Sequence, residues 1–195
     1  MFLTCIVIRK NKSSYLTHGR MKQNEIILQL NQNHSSYIDF IYGLNDMQFV
    51  QTQQGKWSAG QQLEHIYLSI KPLTRALLLP SFLLRLLFGK ANRPSRKYEV
   101  LVEKYTNKLA DGGRASKKYI PSVVSNNKKE ELIKKLQHTI YKLTSHIRHF
   151  NEEDLDILIL PHPLLGRLTL REMLYFTVYH VKHHEEGLKK NLGYR

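Results

Sequence analysis

The sequence predicts an all-α fold: a four-helix bundle with a long, partly helical connection between helices 2 and 3. Three observations support this prediction. Apolar residues recur three and four positions apart in four separate segments, which is the spacing of an amphipathic α-helix. Two of these segments begin with a capping-box pattern, and no alternating segments flank a turn, so no strand hairpin is expected. Amphipathic helices bury their apolar faces against one another, and four of them favour a bundle.

The first helix is predicted over residues 22–44, and the second is predicted to begin directly after Ser58. The inward face of the first helix is predicted to carry Ile27, Leu30, His34, Tyr37 and Ile41. The inward face of the second is predicted to carry Leu63, Ile66, Ile70, Leu73 and Leu77. Ser58 is suited to cap the second helix, with Gln61 as its reciprocal partner. Pro72 should kink this helix, because proline has no N–H and its ring crowds the carbonyl of Leu68.

The third helix is predicted over residues 128–150, and the fourth is predicted to begin after Thr169, with Glu172 as its capping partner. The inward face of the third helix is predicted to carry Leu132, Leu136, Ile140, Leu143, Ile147 and Phe150. The inward face of the fourth is predicted to carry Met173, Thr177, His180, Val181, His184 and Leu188. The connection over residues 89–127 is basic, and its part 98–110 is predicted to form a short helix of its own.

The composition supports one domain with a strong positive charge. The chain has 195 residues, of which 42% are apolar, and this is enough to bury a core. We assign residues 1–21 to an N-terminal extension and residues 22–195 to the bundle domain. The net charge of +14 has two readings: attraction to nucleic acid or an anionic membrane, or a solvated basic surface. Without zinc-finger spacing or a helix-turn-helix pattern, the second reading is favoured and no specific nucleic acid is expected.

Neither a disulfide framework nor a membrane span is expected. Cys5 is the single cysteine, which excludes an intramolecular disulfide and any zinc site made of several cysteines. The longest apolar stretch, residues 77–88, is interrupted by Pro80 and Arg85 and is shorter than the roughly 20 residues that a spanning helix needs. We expect this stretch to form a contact in a homodimer rather than to bind a membrane. The first residues lack the basic start of a secretory signal, so the expected location is cytoplasmic.

The spacing of the histidines indicates a metal site. His180 and His184 lie four residues apart on a predicted helix, so their side chains diverge by only about 40° and can bind one ion. Their positions on the apolar face turn them into the bundle, where imidazoles need hydrogen bonds or a metal. His65 on the second helix can supply a third nitrogen, because metal sites in bundles are made from facing helices. The zincin motif HExxH is absent, because Val181 follows His180.

The other histidines have simpler interpretations. His34 is expected to be a core residue with satisfied hydrogen bonds, since that is the usual role of a single inward histidine. His183 is expected at the rim of the site. The histidines off the core face of the third helix are expected to be solvated: His138, His146 and His149.

Four stretches form an ordered set over residues 22–191. They are WSAGQQLEHI at 57–66, LLPSFLLRLLFGKANRPSRKYEVLVEKYTNKL at 78–109, PHPLLGRLTLREMLYF at 161–176 and YHVKHHEEGL at 179–188. A histidine on the second helix, followed much later by HPxxGxxTxxE and then HxxxH, resembles the DinB-like (DinB/YfiT) superfamily of metal-binding four-helix bundles. The resemblance implies that His65, His180 and His184 bind a divalent ion, with zinc or nickel expected. It also places His162 in the loop before the last helix, where it either edges a pocket or belongs to a rigid turn between two prolines.

The resemblance implies three alternatives for function. Characterised relatives include S-transferases that use a low-molecular-weight thiol, so a metal-dependent enzyme that activates such a thiol is expected. A metal-dependent hydrolase that activates water is the second alternative, and a non-catalytic metal-binding module for stress response or binding is the third. The expected partner is a small-molecule substrate or thiol, and an anionic thiol would suit a basic pocket mouth. Four cations are candidates for that charge, although an ordinary surface position is the favoured interpretation of each: Lys71, Arg75, Arg93 and Arg96. We find no nucleophile in the protein, because Cys5 lies outside the recognisable domain.

Overall fold

The computed structural model describes residues 20–52 and 55–194, and within them it confirms a mainly helical fold. The helices are α1 Gln23–Gly43, α2 Asp46–Val50, α3 Ala59–Ala76, α4 Ser81–Phe88, α5 Tyr98–Ala110, α6 Lys129–Ile147, α7 Glu152–Ile157 and α8 Leu170–Asn191. Two short strands precede α8: β1 Ile159–His162 and β2 Gly166–Thr169. Of the predicted extension, residues 1–19, including Cys5, lie outside the described residues, and the proposed domain boundary stays a prediction.

Four long helices form the bundle, as the periodicity predicted. Helix α3 packs along α6, α1 packs along both α6 and α8, and α3 and α8 also touch. The inward residues predicted for these helices are buried, with the exception of His184, which is half-buried. The apolar spacing therefore identified the faces that meet in the core.

The starts of α3 and α8 are capped as predicted. The Ser58 hydroxyl accepts a hydrogen bond from the Gln61 N–H at 3.2 Å, and the Ser58 N–H donates to the Gln61 side chain at 3.0 Å. Thr169 and Glu172 make the same reciprocal pair at α8. Helix α3 continues through Pro72 and ends at Ala76. These caps define where α3 and α8 begin, and α3 carries His65 whereas α8 carries His180 and His184.

The connection between α3 and α6 is partly helical. The short helix predicted over residues 98–110 is confirmed as α5, which packs against α8. After α5, a 3₁₀ turn at Lys117–Tyr119 returns the chain to α3. The connection thus closes one side of the space between α3 and α8.

A β-hairpin is present, so the prediction of no hairpin was wrong. Strands β1 and β2 are antiparallel. In their register, Ile159 pairs with Thr169 at one end and His162 pairs with Gly166 at the other. Gly166 has φ of 77°, a left-handed conformation that glycine adopts at little cost. The sequence gives no signal for β1, because its apolar residues do not alternate with polar ones and Pro161 lacks a backbone donor. The hairpin leads directly into the N-terminus of α8.

No helix among the described residues is long and apolar enough to cross a membrane. The apolar stretch predicted as a dimer contact forms α4 and the turn before it. Phe82 and Leu86 on α4 are 70% and 79% exposed. The homodimer stays a prediction.

A buried carboxylate joins the start of α8 to the connection. The side chain of Glu172 is fully buried and accepts hydrogen bonds from Arg93 at 2.7 and 2.8 Å and from Arg96 at 2.8 and 3.0 Å. Burial raises the pKa of Glu172, but the hydrogen bonds from Arg93 and Arg96 outweigh burial and lower it to about 2. The prediction that these two arginines supply charge at a pocket mouth was therefore wrong, because their guanidinium groups are bound to this carboxylate.

We expect Glu172→Gln to reduce the free energy of unfolding near neutral pH by about 3 kcal/mol, since it leaves two arginines without their anion. The folded-state pKa of Glu172 is depressed, so its stabilisation is present above its ordinary pKa of 4.5 and is lost as pH falls toward about 2. Urea unfolding at several pH values measures both effects. Glu130→Gln is the control, because Glu130 is 79% exposed and lies 4.0 Å from Lys134; its effect should stay within about 0.5 kcal/mol. An equal loss from Glu172→Gln at about pH 7 and about pH 2 would show that the carboxylate charge is not the cause.

Candidate metal centre

Three imidazoles from α3 and α8 converge in the bundle. The Nε2 atom of His180 lies 3.2 Å from Nε2 of His65 and 3.2 Å from Nε2 of His184. One nitrogen from each ring lies within 4.8 Å of those of the other two. The structure thus brings together the three residues selected from the sequence.

The outer nitrogens of two of these rings are held by acceptors. Nδ1 of His65 lies 2.7 Å from the carbonyl oxygen of Tyr119, and Nδ1 of His184 lies 3.0 Å from the side-chain oxygen of Gln62. A carbonyl oxygen can only accept, so both Nδ1 atoms carry the proton when the rings are neutral. The Nε2 atoms of His65 and His184 therefore point into the group as lone pairs.

Burial keeps the three rings neutral. It lowers the pKa of His65, and it lowers the pKa of His180 and His184 well below the ordinary value, with the neighbouring imidazoles adding to the effect. Neutral imidazoles are the form that binds metal ions. Two nitrogen ligands about 2.1 Å from a tetrahedral ion lie about 3.4 Å apart, close to the observed separations of 3.2 Å. The donor set and its spacing fit a divalent ion that accepts imidazole nitrogen, such as zinc or nickel.

A cavity of about 240 Å³ lies beside the three rings, and His65 and His180 form part of its wall. Most other lining side chains are apolar, among them Ile70, Leu73, Leu109, Leu164, Met173 and Phe176. Arg114 and Lys118 also line it, whereas none of its lining residues within the described part of the chain is Asp, Glu or Cys. The cavity is therefore a mostly apolar pocket whose lining also includes histidines and two cations.

His162 also lines this pocket, and it belongs to the hairpin turn as well. Its Nδ1 accepts hydrogen bonds from the N–H groups of Leu164 and Leu165, both at 3.1 Å. Burial, with a smaller effect from Lys104, lowers the pKa of His162 to about 4. The ring of Phe176 packs against both His162 and His180, with ring centroids 4.3 and 4.7 Å away. Both sequence interpretations of His162, a pocket edge and a turn residue, hold at once.

Among the described residues, the remaining histidines do not join the group. His34 is buried in the core, as expected, and its Nδ1 donates to the Leu30 carbonyl. The expectation that its hydrogen bonds are satisfied was wrong, because its Nε2 is buried without a partner among the described residues. His183 is half-buried against Tyr105 and Tyr179. The expectation that His146 is solvated was wrong, because its side chain is half-buried and its Nε2 is buried without a partner among the described residues.

Sequence reasoning missed three neighbours of the site. The only tryptophan, Trp57, packs against His65 with ring centroids 4.9 Å apart. Gln62 lies one turn before His65 on the same helix, and this spacing was a usable signal. Tyr119 contacts His65 through its backbone carbonyl, and no pattern of side chains in the sequence predicts a backbone contact of this kind.

We expect nuclear magnetic resonance to find the proton on Nδ1 of His65 and His184 and on Nε2 of His162 at neutral pH. Long-range ¹H–¹⁵N correlation spectra distinguish these tautomers through the coupling pattern of each ring. His138, which is exposed, serves as the reference for tautomers in exchange. A proton on Nε2 of either His65 or His184 would contradict the assigned hydrogen bonds.

The comparisons with known proteins agree with the four-helix bundle fold. A family model described as the DinB superfamily matches residues 29–186. YfiT from Bacillus subtilis, described as a probable metal-dependent hydrolase with an unusual four-helix bundle topology, is a similar solved structure with a TM-score of 0.57. It is 18% identical, and the match covers 89% of each chain, so this likeness establishes the fold alone. The comparison with curated proteins gives no significant match.

Proposed function

The chain belongs to the DinB superfamily, and from this premise we propose that it is a divalent-metal-binding protein whose ion is held by His65, His180 and His184. The convergence of their three Nε2 atoms carries the proposal. The Nε2 atoms of His65 and His184 both present lone pairs toward Nε2 of His180, and a cation would stabilise this arrangement. Tyr119 and Gln62 support the same role, because outer hydrogen bonds orient metal-binding imidazoles and increase their basicity.

We further propose that the site is catalytic. No fourth His, Cys, Asp or Glu joins the three rings within the described residues, which favours coordination positions open to a small molecule. The adjoining pocket supplies the space for it. A divalent ion held there would act as a Lewis acid that lowers the pKa of a bound thiol or water near neutral pH. This arrangement favours an enzyme over a non-catalytic metal-binding module, in which a fourth protein ligand would close the site.

The nucleophile comes from outside the protein. The described residues that line the pocket include neither a cysteine nor a carboxylate, so the chain supplies no thiol and no carboxylate base there. A low-molecular-weight thiol remains our first candidate, because Arg114 and Lys118 suit an anionic thiol. Water is the second candidate, and the description of YfiT as a probable metal-dependent hydrolase favours it. The cytoplasmic location proposed from the sequence is compatible with either.

We expect the purified protein to carry close to one equivalent of divalent metal by elemental analysis. His65→Ala and His180→Ala should lose it, because two nitrogens bind a divalent ion far more weakly than three. His149→Ala is the matched control, since His149 is exposed on the far end of α6. Retention of the metal by both site variants would refute the assignment.

The same variants have an optical readout. Trp57 packs on His65, so paramagnetic Ni²⁺ or Co²⁺ bound at the site should quench the only tryptophan of the chain. Quenching should saturate near one equivalent in the wild type and in His149→Ala, and it should be absent in His180→Ala. Equal quenching in all three proteins would place the ion elsewhere.

Assays with electrophilic substrates should show whether the site activates a small thiol or water. We expect the protein loaded with zinc or nickel to consume an epoxide or activated alkyl halide only when a small thiol is added, if thiol activation is the reaction. Hydrolysis of an activated ester without thiol would select water instead. A chelator should abolish either activity, and His149→Ala should keep it. Activity that survives both the chelator and His180→Ala would rule out a metal-dependent reaction at this site.

A further inference from the structure

We propose that His162 donates a hydrogen bond from Nε2–H to an oxygen of the molecule bound in the pocket, and that this molecule is a small, mostly apolar carboxylate. The inference rests on the pocket being the substrate site of the proposed function. It does not depend on which nucleophile the site activates.

The hairpin fixes the tautomer of His162. The N–H groups of Leu164 and Leu165 both donate to Nδ1, so this nitrogen must be the unprotonated one in the neutral ring. Nε2 then carries the proton. It has no hydrogen-bond partner among the described residues, although the ring as a whole is 9% exposed and lines the pocket. A fixed N–H donor on the wall of an apolar pocket calls for an acceptor on the ligand, because leaving it unpaired on binding is costly.

The histidines that line the pocket therefore differ in what their Nε2 atoms offer to a ligand. His65 presents a lone pair on Nε2, whereas His162 presents a proton on Nε2. Phe176 packs against both His162 and His180, and no hydrogen bond joins these two rings within the described residues. An oxygen bound to His162 thus lies in the same pocket as His65 and His180 without competing for their Nε2 atoms.

The remaining lining defines the rest of the ligand. Arg114 and Lys118 are exposed cations, and no acidic side chain among the described lining residues offsets them. The other contacts come mostly from aliphatic and aromatic side chains such as Leu73, Met173 and Phe176. A volume of about 240 Å³ is smaller than the pockets of about 300–1,000 Å³ that take drug-sized molecules. A compact apolar body with one negative charge matches this lining.

Benzoate is a suitable probe, with benzyl alcohol as its neutral counterpart. Calorimetric titrations should be run on the protein as purified and again after chelation, with the metal content measured each time. We expect benzoate to bind, and benzyl alcohol to bind about tenfold more weakly because it lacks the charge. The ¹H resonance on Nε2 of His162 should move downfield when benzoate binds, in the chelated protein as well. A proton found on Nδ1 of His162 would overturn the proposal.

Two substitutions separate the donor role of His162 from its turn role. His162→Asn keeps an acceptor near the Nδ1 position for the turn but removes the Nε2–H, and benzoate affinity should fall about tenfold. His162→Gln places an N–H near the Nε2 position and should bind benzoate more tightly than His162→Asn. Both variants should keep the metal content of the wild type. The comparison of their benzoate affinities stays valid even if the metal proposal fails, because it does not require a bound ion. Wild-type benzoate affinity in His162→Asn would overturn the proposal.

The charge is tested in the same way. Arg114→Gln and Lys118→Gln should each weaken benzoate binding several-fold and leave benzyl alcohol unaffected. Arg148→Gln is the matched control, because Arg148 is exposed at the end of α6 and does not line the pocket. Benzyl alcohol binding as tightly as benzoate, or no saturable binding of benzoate, would overturn the assigned ligand class.

Discussion

The hydrogen bonds from Nδ1 of His65 and His184 determine the character of the whole site. An imidazole that donates through Nδ1 has only Nε2 left for anything else, and both rings turn that nitrogen inward. With a free choice of tautomer, any of the three rings could donate to another through an N–H···N bond. The acceptors on Tyr119 and Gln62 remove that choice for His65 and His184, so only His180 is left able to donate from Nε2 within the group. The metal affinity that we propose for this bundle therefore depends on the neighbours of the histidines as much as on the histidines themselves.

The two acceptors, Gln62 and the Tyr119 carbonyl, belong to different parts of the chain, and the second of them links the site to the connection between α3 and α6. Gln62 belongs to α3 and moves with His65, whereas Tyr119 lies on the connection, far from α3 in sequence. The connection is fixed to the start of α8 through Arg93, Arg96 and the buried carboxylate of Glu172. The same helix α8 carries His180 and His184. One ionic anchor thus joins the helix that carries two of the three histidines to the segment that orients the third.

Local patterns in the sequence predicted much of this arrangement. Periodicity located the four long helices, the capping residues Ser58 and Thr169 located two of their starts, and the spacing of His180 and His184 placed both rings on one face. The missed features depend on where the chain returns in space. Nothing near Tyr119 shows that its carbonyl will meet His65, and nothing near Arg93 shows that Glu172 will be its partner. The strand β1 was missed for another reason, since a short apolar run with a proline has no period to detect.

The two kinds of histidine in the pocket follow from where their Nδ1 atoms lie. For His65 and His184, Nδ1 faces a carbonyl and must be protonated, so Nε2 is left with a lone pair. For His162, Nδ1 faces two backbone N–H groups and must be unprotonated, so Nε2 becomes a donor. The same side chain therefore takes opposite roles within one cavity, and the backbone makes the difference at His65 and His162. With the proposed cation held at the three-histidine group, a ligand that spans the pocket must offer a nucleophilic or anionic atom to the cation and an acceptor oxygen to His162, which is a stricter requirement than an apolar pocket alone imposes.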